Sequence, residues 1–471
     1  MNDRVRALRF ADVEVDGVRC DVEVAHGRVT AIGPSRPAVA PDAMVVAGRG
    51  GALLPGLHDH HLHLMSAAAR IGSVDCGPPA TSTADDLRDR LQSAARQAGA
   101  GEWVRAVNYH ESVAGPLDRD ALDRIVADVP VRVQHRGGAL WMLNSAALRQ
   151  VEAALTDRLG ADAPHDLERD GAGRATGRLW RQDALLASLV PAHPLDLGAL
   201  GARLRGYGIT SVTDATPDLA PATVELLAAA ATDGRLPLGI TLLGAATAPA
   251  PLRVGPAKIL LRDHDLPSFD RLREAVRLHH DGLRPVAVHC VTRESLVLTL
   301  AVLEEIGSLP GDRIEHAAIV PTEVIPALRA LGVCVVTQPD FLRLKGDGYL
   351  RDVDAEDVAG LYRHGSLLDA GISTVASSDA PFGELDPWRV MRSAVERRTT
   401  AGTTVGPADR VSARTALSGY LAPADLPGPE RRIAVGAPAD LVLLHTRLRE
   451  ALADLSADSV RATLVGSDWR G

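Results

Sequence analysis

Short apolar runs that stop abruptly at a polar or ionisable residue recur through the middle of this 471-residue chain. Eight stand out: Leu53 to His63, Ile209 to Asp214, Leu238 to Leu243, Ala257 to Leu261, Val286 to His289, Arg313 to His316, Val333 to Thr337 and Ser373 to Asp379. Such runs, without strict alternation, are the pattern of parallel strands covered on both faces. Between several of them the apolar positions recur at helical spacing, over Phe269 to His280, Arg293 to Ile306 and Thr322 to Leu331. Strands alternating with helices predict a parallel α/β structure, and eight of them a (β/α)8 barrel of the TIM type.

The pattern changes towards both ends. Val13 to Val15, Cys20 to Val24 and Arg28 to Ile32 mix β-branched and polar residues between glycine turns, and the texture returns in Gly436 to His445 and Val460 to Gly466. These stretches predict a small β-sandwich domain built from residues 1–52 and 425–471, with the barrel over 53–424. The count of eight strands requires residues 67–204 to be an insertion after the first. That segment carries its own strand-like runs, Trp103 to Val107 and Val131 to Gln134, and reads as a lid or subdomain.

Composition narrows the class. Hydrophobic residues make up 46% and the net charge is −9, which is ordinary for a globular protein and unsuited to a phosphate backbone, so nucleic acid is not expected as a partner. The start MNDRVRALRF has no apolar core, and no run of about 18 uncharged apolar residues occurs. The expectation is a cytoplasmic protein with no membrane partner. Cys20, Cys76, Cys290 and Cys334 form no CxxC pair and read as buried reduced thiols. Of the 51 basic residues only Lys258 and Lys345 are lysines. A lysine kept amid so many arginines invites attention.

The chemistry gathers at the strand ends. In LLPGLHDHHLHLM, His61 and His63 stand at i and i+2, so on a strand they share one face about 6.5–7 Å apart. Neutral imidazole is a good zinc ligand, and an apolar strand ending in histidines is hard to explain as core. His58 and His60 fall on the other face and read as ordinary polar residues. His289 closes PVAVHC and His316 closes DRIEH, each at the strand end where barrel enzymes assemble their sites. Asp379 ends the last run; a carboxylate there can ligate a metal and accept a proton from water. Lys258 lies in the apolar segment GPAKILL. A lysine carboxylated by CO₂ becomes an anionic ligand able to bridge two cations; an ion pair with a carboxylate is the other reading, and both stay open.

DHHLH matches the D-x-H-x-H signature of the amidohydrolase superfamily, and the ordered strand-end Lys258, His289, His316 and Asp379 resemble its metal centre. The resemblance covers nearly the whole chain. It implies His61, His63, His289, His316 and Asp379 as ligands of one or two divalent ions, zinc foremost, with Lys258 as the carboxylated bridge. A narrower resemblance, to the YtcJ-like branch (amidohydrolase family 3) with its N-substituted formamide deformylases, rests on the insertion and on GEWVRAV, ALWMLNSAAL, GITSVTDA and TQPDF. It places Trp141, Asn144 and Gln338 at the substrate pocket, a position in the core being the other reading of Trp141. Gly138, Phe341 and the run ILLRDH after Lys258 depart from the branch pattern, which puts the branch's substrates in doubt and leaves its chemistry standing.

The expected function is hydrolysis of a C–N bond in a small amide, N-substituted formamide or cyclic amide, with Asp379 moving the proton. Deamination of a heterocyclic amine is the rival within the enzyme class, and a non-catalytic binding or scaffold protein the rival outside it. The expected partner is a small-molecule substrate; a homodimer is left open, since nothing in the sequence marks an interface.

Overall fold

Apolar residues at the N-terminus build the first sheet: Phe10, Val13, Val22 and Val24 turn into its core, while Arg9 and Asp21 are buried as an ion pair and Glu23 stays at the surface. The computed structural model describes residues 7–34, 44–78, 80–159, 167–182, 185–186, 188, 195–425, 428–466 and 468–470. The chain falls into two units, residues 1–64 with 197–471, and residues 65–196. Among the described residues no helix is long and apolar enough to cross a membrane.

In the first unit, β1 (Ala7–Val15), β2 (Val18–Ala25), β3 (Arg28–Gly33) and β4 (Met44–Ala47) form a sheet in the order β3-β2-β1-β4, parallel only between β1 and β4. The run from Leu53 to His63, expected as one strand, is two. β5 (Leu53–Pro55) and β6 (Leu57–Leu62) belong to different sheets, and the break is at Gly56. Gly56 N donates to Asp440 O at 2.7 Å and Leu57 N to Gly208 O at 2.9 Å, so the chain changes partner between adjacent residues. Only glycine fits there, because a Cβ would lie 2.1 Å from Thr210 Cγ2.

The second unit holds β7 (Val74–Asp75), β8 (Val104–Tyr109), β9 (Val131–His135), β10 (Leu140–Leu143) and β11 (Arg178–Trp180) in one five-stranded sheet. Its core on one side gathers Leu87, Leu91, Tyr109 and Val131, and on the other Trp141, Leu143, Val151 and Leu179.

Back in the first unit, β12 (Ile209–Asp214), β13 (Gly239–Leu242) and β14 (Arg253–Val254) pair in parallel with β6 in the order β14-β13-β12-β6. A second parallel sheet runs β15 (Ala257–Leu260), β16 (Val286–Cys290), β17 (Arg313–His316), β18 (Cys334–Thr337), β19 (Thr374–Ala376). Hydrogen bonds tie the two arcs at both margins: Lys258 N to Leu243 O at 3.1 Å, and Asp379 N to His61 O and His63 N to Ala380 O, both at 2.8 Å. Helices pack between the strands as the spacing predicts, with Phe269–His280 capped by Ser268 and Arg293–Ile306 by a Thr292 capping box. Leu272, Val276, Leu296, Leu300 and Leu303 of these helices share a core with Val286, Val288 and Ile314 of the strands. This is a mixed α/β fold.

The chain ends in β20 (Leu441–Leu444), β21 (Val460–Val465) and β22 (Asp468–Arg470), which with β5 make an antiparallel sheet in the order β22-β21-β20-β5. Leu53, Leu441, Leu443 and Leu464 from this sheet and Leu8, Phe10 and Val22 from the first form one apolar cluster.

Gly56→Ala is expected to destabilise the protein by about 1–3 kcal/mol, since the added methyl must displace buried Thr210. The midpoint of denaturant unfolding measures this; an unchanged midpoint would show that the change of sheet does not depend on close approach at this residue.

Candidate metal centre

The side chains at the ends of β6, β17 and β19 converge. His61, His316 and Asp379 each offer a ligand atom, and these atoms lie within 4.8 Å of one another, all three residues being buried. His61 stands next to last in β6, on the face that Asp59 shares, as period-two alternation requires. His63 lies one residue beyond the strand, with Nε2 3.2 Å from Asp379 Oδ1 and Nδ1 3.0 Å from Thr216 Oγ1. His61 Nε2 is 3.4 Å from the same carboxylate oxygen. His289 joins edge-on to His316, ring centroids 4.3 Å apart.

Two of these residues reach the cluster through unusual backbone. His316 has φ +70° and Asp379 φ +49°. A non-glycine residue in the left-handed region costs on the order of 1–3 kcal/mol and persists only where the surroundings enforce it. In β17, alternation sets His316 opposite Arg313 and Glu315; its left-handed turn ends the strand and accompanies its arrival beside His61 and His289.

Hydrogen bonds on the outer side fix which ring nitrogens face inward. Glu315 accepts from His61 Nδ1 and, with its other oxygen, from Arg313 Nε; Arg313 Nη2 reaches His60 O at 2.6 Å. Gln338 Oε1 lies 2.8 Å from His316 Nδ1, and its amide nitrogen donates to Val336 O and Ser377 Oγ, which sets the orientation of the amide. Both imidazoles therefore present Nε2 lone pairs to the interior. Asp59 Oδ1 accepts from His61 N and Ser378 N, each at 3.2 Å, and so joins β6 to the segment after β19.

The electrostatics favour neutral imidazoles beside an ionised carboxylate. Burial, with the Lys258 charge next, lowers the pKa of His61; burial and His289 hold His316 well below its usual range; burial and Lys258 lower His289 to about 4. Burial pushes Asp379 up, but His63, His61 and His316 around it outweigh this and hold it far below the usual carboxylate range. Burial is also the main cause lowering Lys258, against the pull of Glu315 and Asp379. Near neutral pH these histidines have no proton to surrender before binding a cation.

The donor set fits a divalent cation. His61 Nε2, Asp379 Oδ1 and Lys258 Nζ are buried and make no hydrogen bond within the described residues. Leaving such atoms unsatisfied costs about 1–3 kcal/mol each, more for a charged one, and a cation held between the imidazole and carboxylate atoms removes that cost.

The expected substrate contacts are placed differently. Gln338 is fully buried with both ends of its amide engaged, so it orients His316. Asn144 is also fully buried; its Oδ1 accepts from Val131 N and Ala147 N and its Nδ2 donates to Val126 O and Val129 O. Trp141 lies in the core of the second unit, with Arg105 and Arg132 over its ring. Asn144 leaves no polar atom for a substrate. His58 bonds Ser211 and Thr213 and His60 bonds Gly419 O, away from the cluster, in agreement with their reading as non-ligands. The four cysteines are buried and form no disulfide. Glu315 and Arg313 escaped the sequence reading, although opposite charges two apart in the strand segment DRIEH were a visible signal.

Known proteins resemble this chain over most of its length. The family model described as "Amidohydrolase family" matches residues 45–467. N-substituted formamide deformylase of Arthrobacter pascens is 28% identical, over 90% of this chain and 89% of that one. The putative amidohydrolase YtcJ of Bacillus subtilis (strain 168) is 23% identical, over 76% of each. The crystal structure of an uncharacterized metal-dependent hydrolase from Pyrococcus horikoshii has a TM-score of 0.67 at 19% identity, covering 88% of this chain and 91% of that one.

Protein purified without chelator is expected to carry divalent metal by elemental analysis. His61→Ala and Asp379→Asn should each lose most of it, while His58→Asn, on the opposite face, should keep the wild-type content. Equal metal in all four proteins would place the cation elsewhere.

Proposed function

The chain belongs to the amidohydrolase family, and from that premise we propose that it hydrolyses the C–N bond of a small amide, with N-substituted formamides and cyclic amides the first substrates to try. The observation that carries this reading is the convergence of His61 Nε2 and Asp379 Oδ1, buried and without hydrogen bonds, with His316 in the same cluster. The relative from Arthrobacter pascens, named for deformylation of N-substituted formamides, supports the choice of bond.

We read β6, β12, β13 and β14–β15, then β16 to β19, as one closed eight-stranded barrel. The hydrogen bonds from Lys258 N to Leu243 O and from Asp379 N to His61 O support the closure. We read the two terminal sheets, with their common apolar cluster, as a β-sandwich. In this arrangement the site lies at the C-terminal ends of the strands, where barrel enzymes carry out their chemistry.

His61, His63, His316 and Asp379 would hold one divalent ion, zinc foremost for a site of imidazole and carboxylate. Lys258 and His289 would hold a second, with Lys258 carboxylated. Burial that weakens the lysine's hold on its proton favours the free amine that reacts with CO₂. When bound, the cation supplies a Lewis acid that lowers the pKa of water towards about 7 and polarises a carbonyl oxygen.

The remaining steps belong to the chain. Asp379, ionised in the folded protein, accepts a proton from the attacking water as the new C–O bond forms, then passes it to the amide nitrogen as the C–N bond breaks. The products are a carboxylate and an amine. The imidazoles stay neutral and orient the site. Burial of the strand ends limits bulk water around the developing charge, where fixed dipoles act most strongly.

Incubation with a panel of N-substituted formamides, simple amides and cyclic amides, alongside aminopurines and aminopyrimidines, tests this reading. Release of carboxylate and amine from the first group is expected, with Asp379→Asn lowering kcat by about 10²–10⁴-fold. Ammonia release from the heterocyclic amines alone would overturn the choice of bond.

A further inference from the structure

Glu315 is a fully buried carboxylate at the site, and the expected ligand set makes no use of it. Each of its oxygens is engaged, one by His61 Nδ1 and the other by Arg313 Nε. It is therefore enclosed away from solvent and has no oxygen left over for a substrate. Its partners lie across a gap in the sheet order: β17 and β6 are not hydrogen-bonded neighbours, yet Glu315 reaches His61 and Arg313 reaches His60 O at 2.6 Å. The pair forms a clamp between strands that the backbone ladder leaves unjoined.

We propose that Glu315 is a positioning residue that locks His61 as the Nδ1–H tautomer and so presents its Nε2 lone pair to the cation, with Arg313 holding the carboxylate in place. The proposal rests on the metal-dependent reading above.

An imidazole has two nitrogens, and the one that donates to an outer acceptor decides which one is left to ligate. Here the outer acceptor is a carboxylate, which makes the bond charge-assisted and the ring more basic towards a cation. The Arg313 guanidinium against its other oxygen favours the ionised carboxylate and fixes its orientation. His316 receives the neutral counterpart of the same device from Gln338, so two histidines of the cluster have their tautomers set from outside by different chemistry.

The test uses metal-free and metal-loaded full-length protein. In metal-free wild type, nitrogen-15 NMR of the histidine rings, with His61 identified by the signal lost in His61→Asn, should show Nδ1 protonated and Nε2 bare. Glu315→Gln, which keeps the shape but has one acceptor oxygen for two donors, should weaken zinc binding by about 10–100-fold in a chelator competition. A purely structural clamp would instead lower the melting temperature and leave the dissociation constant of the folded protein unchanged. A wild-type His61 protonated on Nε2, or a Glu315→Gln protein whose zinc affinity stays within twofold of wild type, overturns the proposal. Should that variant not fold, the wild-type tautomer decides alone. A wild type that holds no metal at all would instead overturn the metal-dependent reading, which keeps the two failures apart.

Discussion

Burying an imidazole nitrogen, a carboxylate oxygen and a lysine nitrogen together, none of them hydrogen-bonded to the described residues, is the constraint around which this structure is arranged. Unsatisfied polar atoms in a low-dielectric interior are expensive, and charged ones more so. The fold tolerates them by fixing their surroundings. Glu315 and Arg313 hold His61, Gln338 holds His316, and Asp59 bridges β6 and the segment after β19. The left-handed backbone at His316 and Asp379 is part of the same arrangement, since strain of that kind persists only where neighbouring contacts over-determine it. A site built this way is preorganised, with most of its cost met during folding.

The scaffold explains why such a site can stand at the strand ends. Parallel strands covered by helices supply a dry, rigid base, visible in the shared core of Val286, Val288 and Ile314 with Leu272, Leu296 and Leu300. Gly56 lets the chain leave the terminal sheet and enter the strand that carries His61 within one residue. The second unit has its own two-sided core, and Trp141 and Asn144 are consumed in it, by packing in one case and by four backbone hydrogen bonds in the other.

The strands were legible because burial on both faces leaves an unmistakable apolar run, and because a run that ends in histidine or aspartate has no simple structural excuse. Ile209–Asp214 and Arg313–His316 begin and end where the pattern puts them, as do helices Phe269–His280 and Arg293–Ile306. The break at Gly56 was hidden, because nothing local tells a buried strand from two strands joined at a glycine; the close approach of Thr210 is a tertiary fact. Asp379 lay beyond its strand because β19 is only Thr374–Ala376, and the turn that follows depends on contacts with β6. Gln338 and Asn144 were polar residues in segments resembling a known branch, and sequence cannot say whether an amide points at a substrate or at its own backbone. Glu315 was missed for the opposite reason, its neighbour His316 being the more conspicuous residue.

Diffraction at the zinc absorption edge from crystals of metal-loaded protein addresses the central claim directly. The account predicts an anomalous peak at about 2.0–2.1 Å from His61 Nε2, with His316 and Asp379 in the same coordination shell. A peak elsewhere on the molecule, with the His61 and Asp379 atoms hydrogen-bonded only to water, would contradict it.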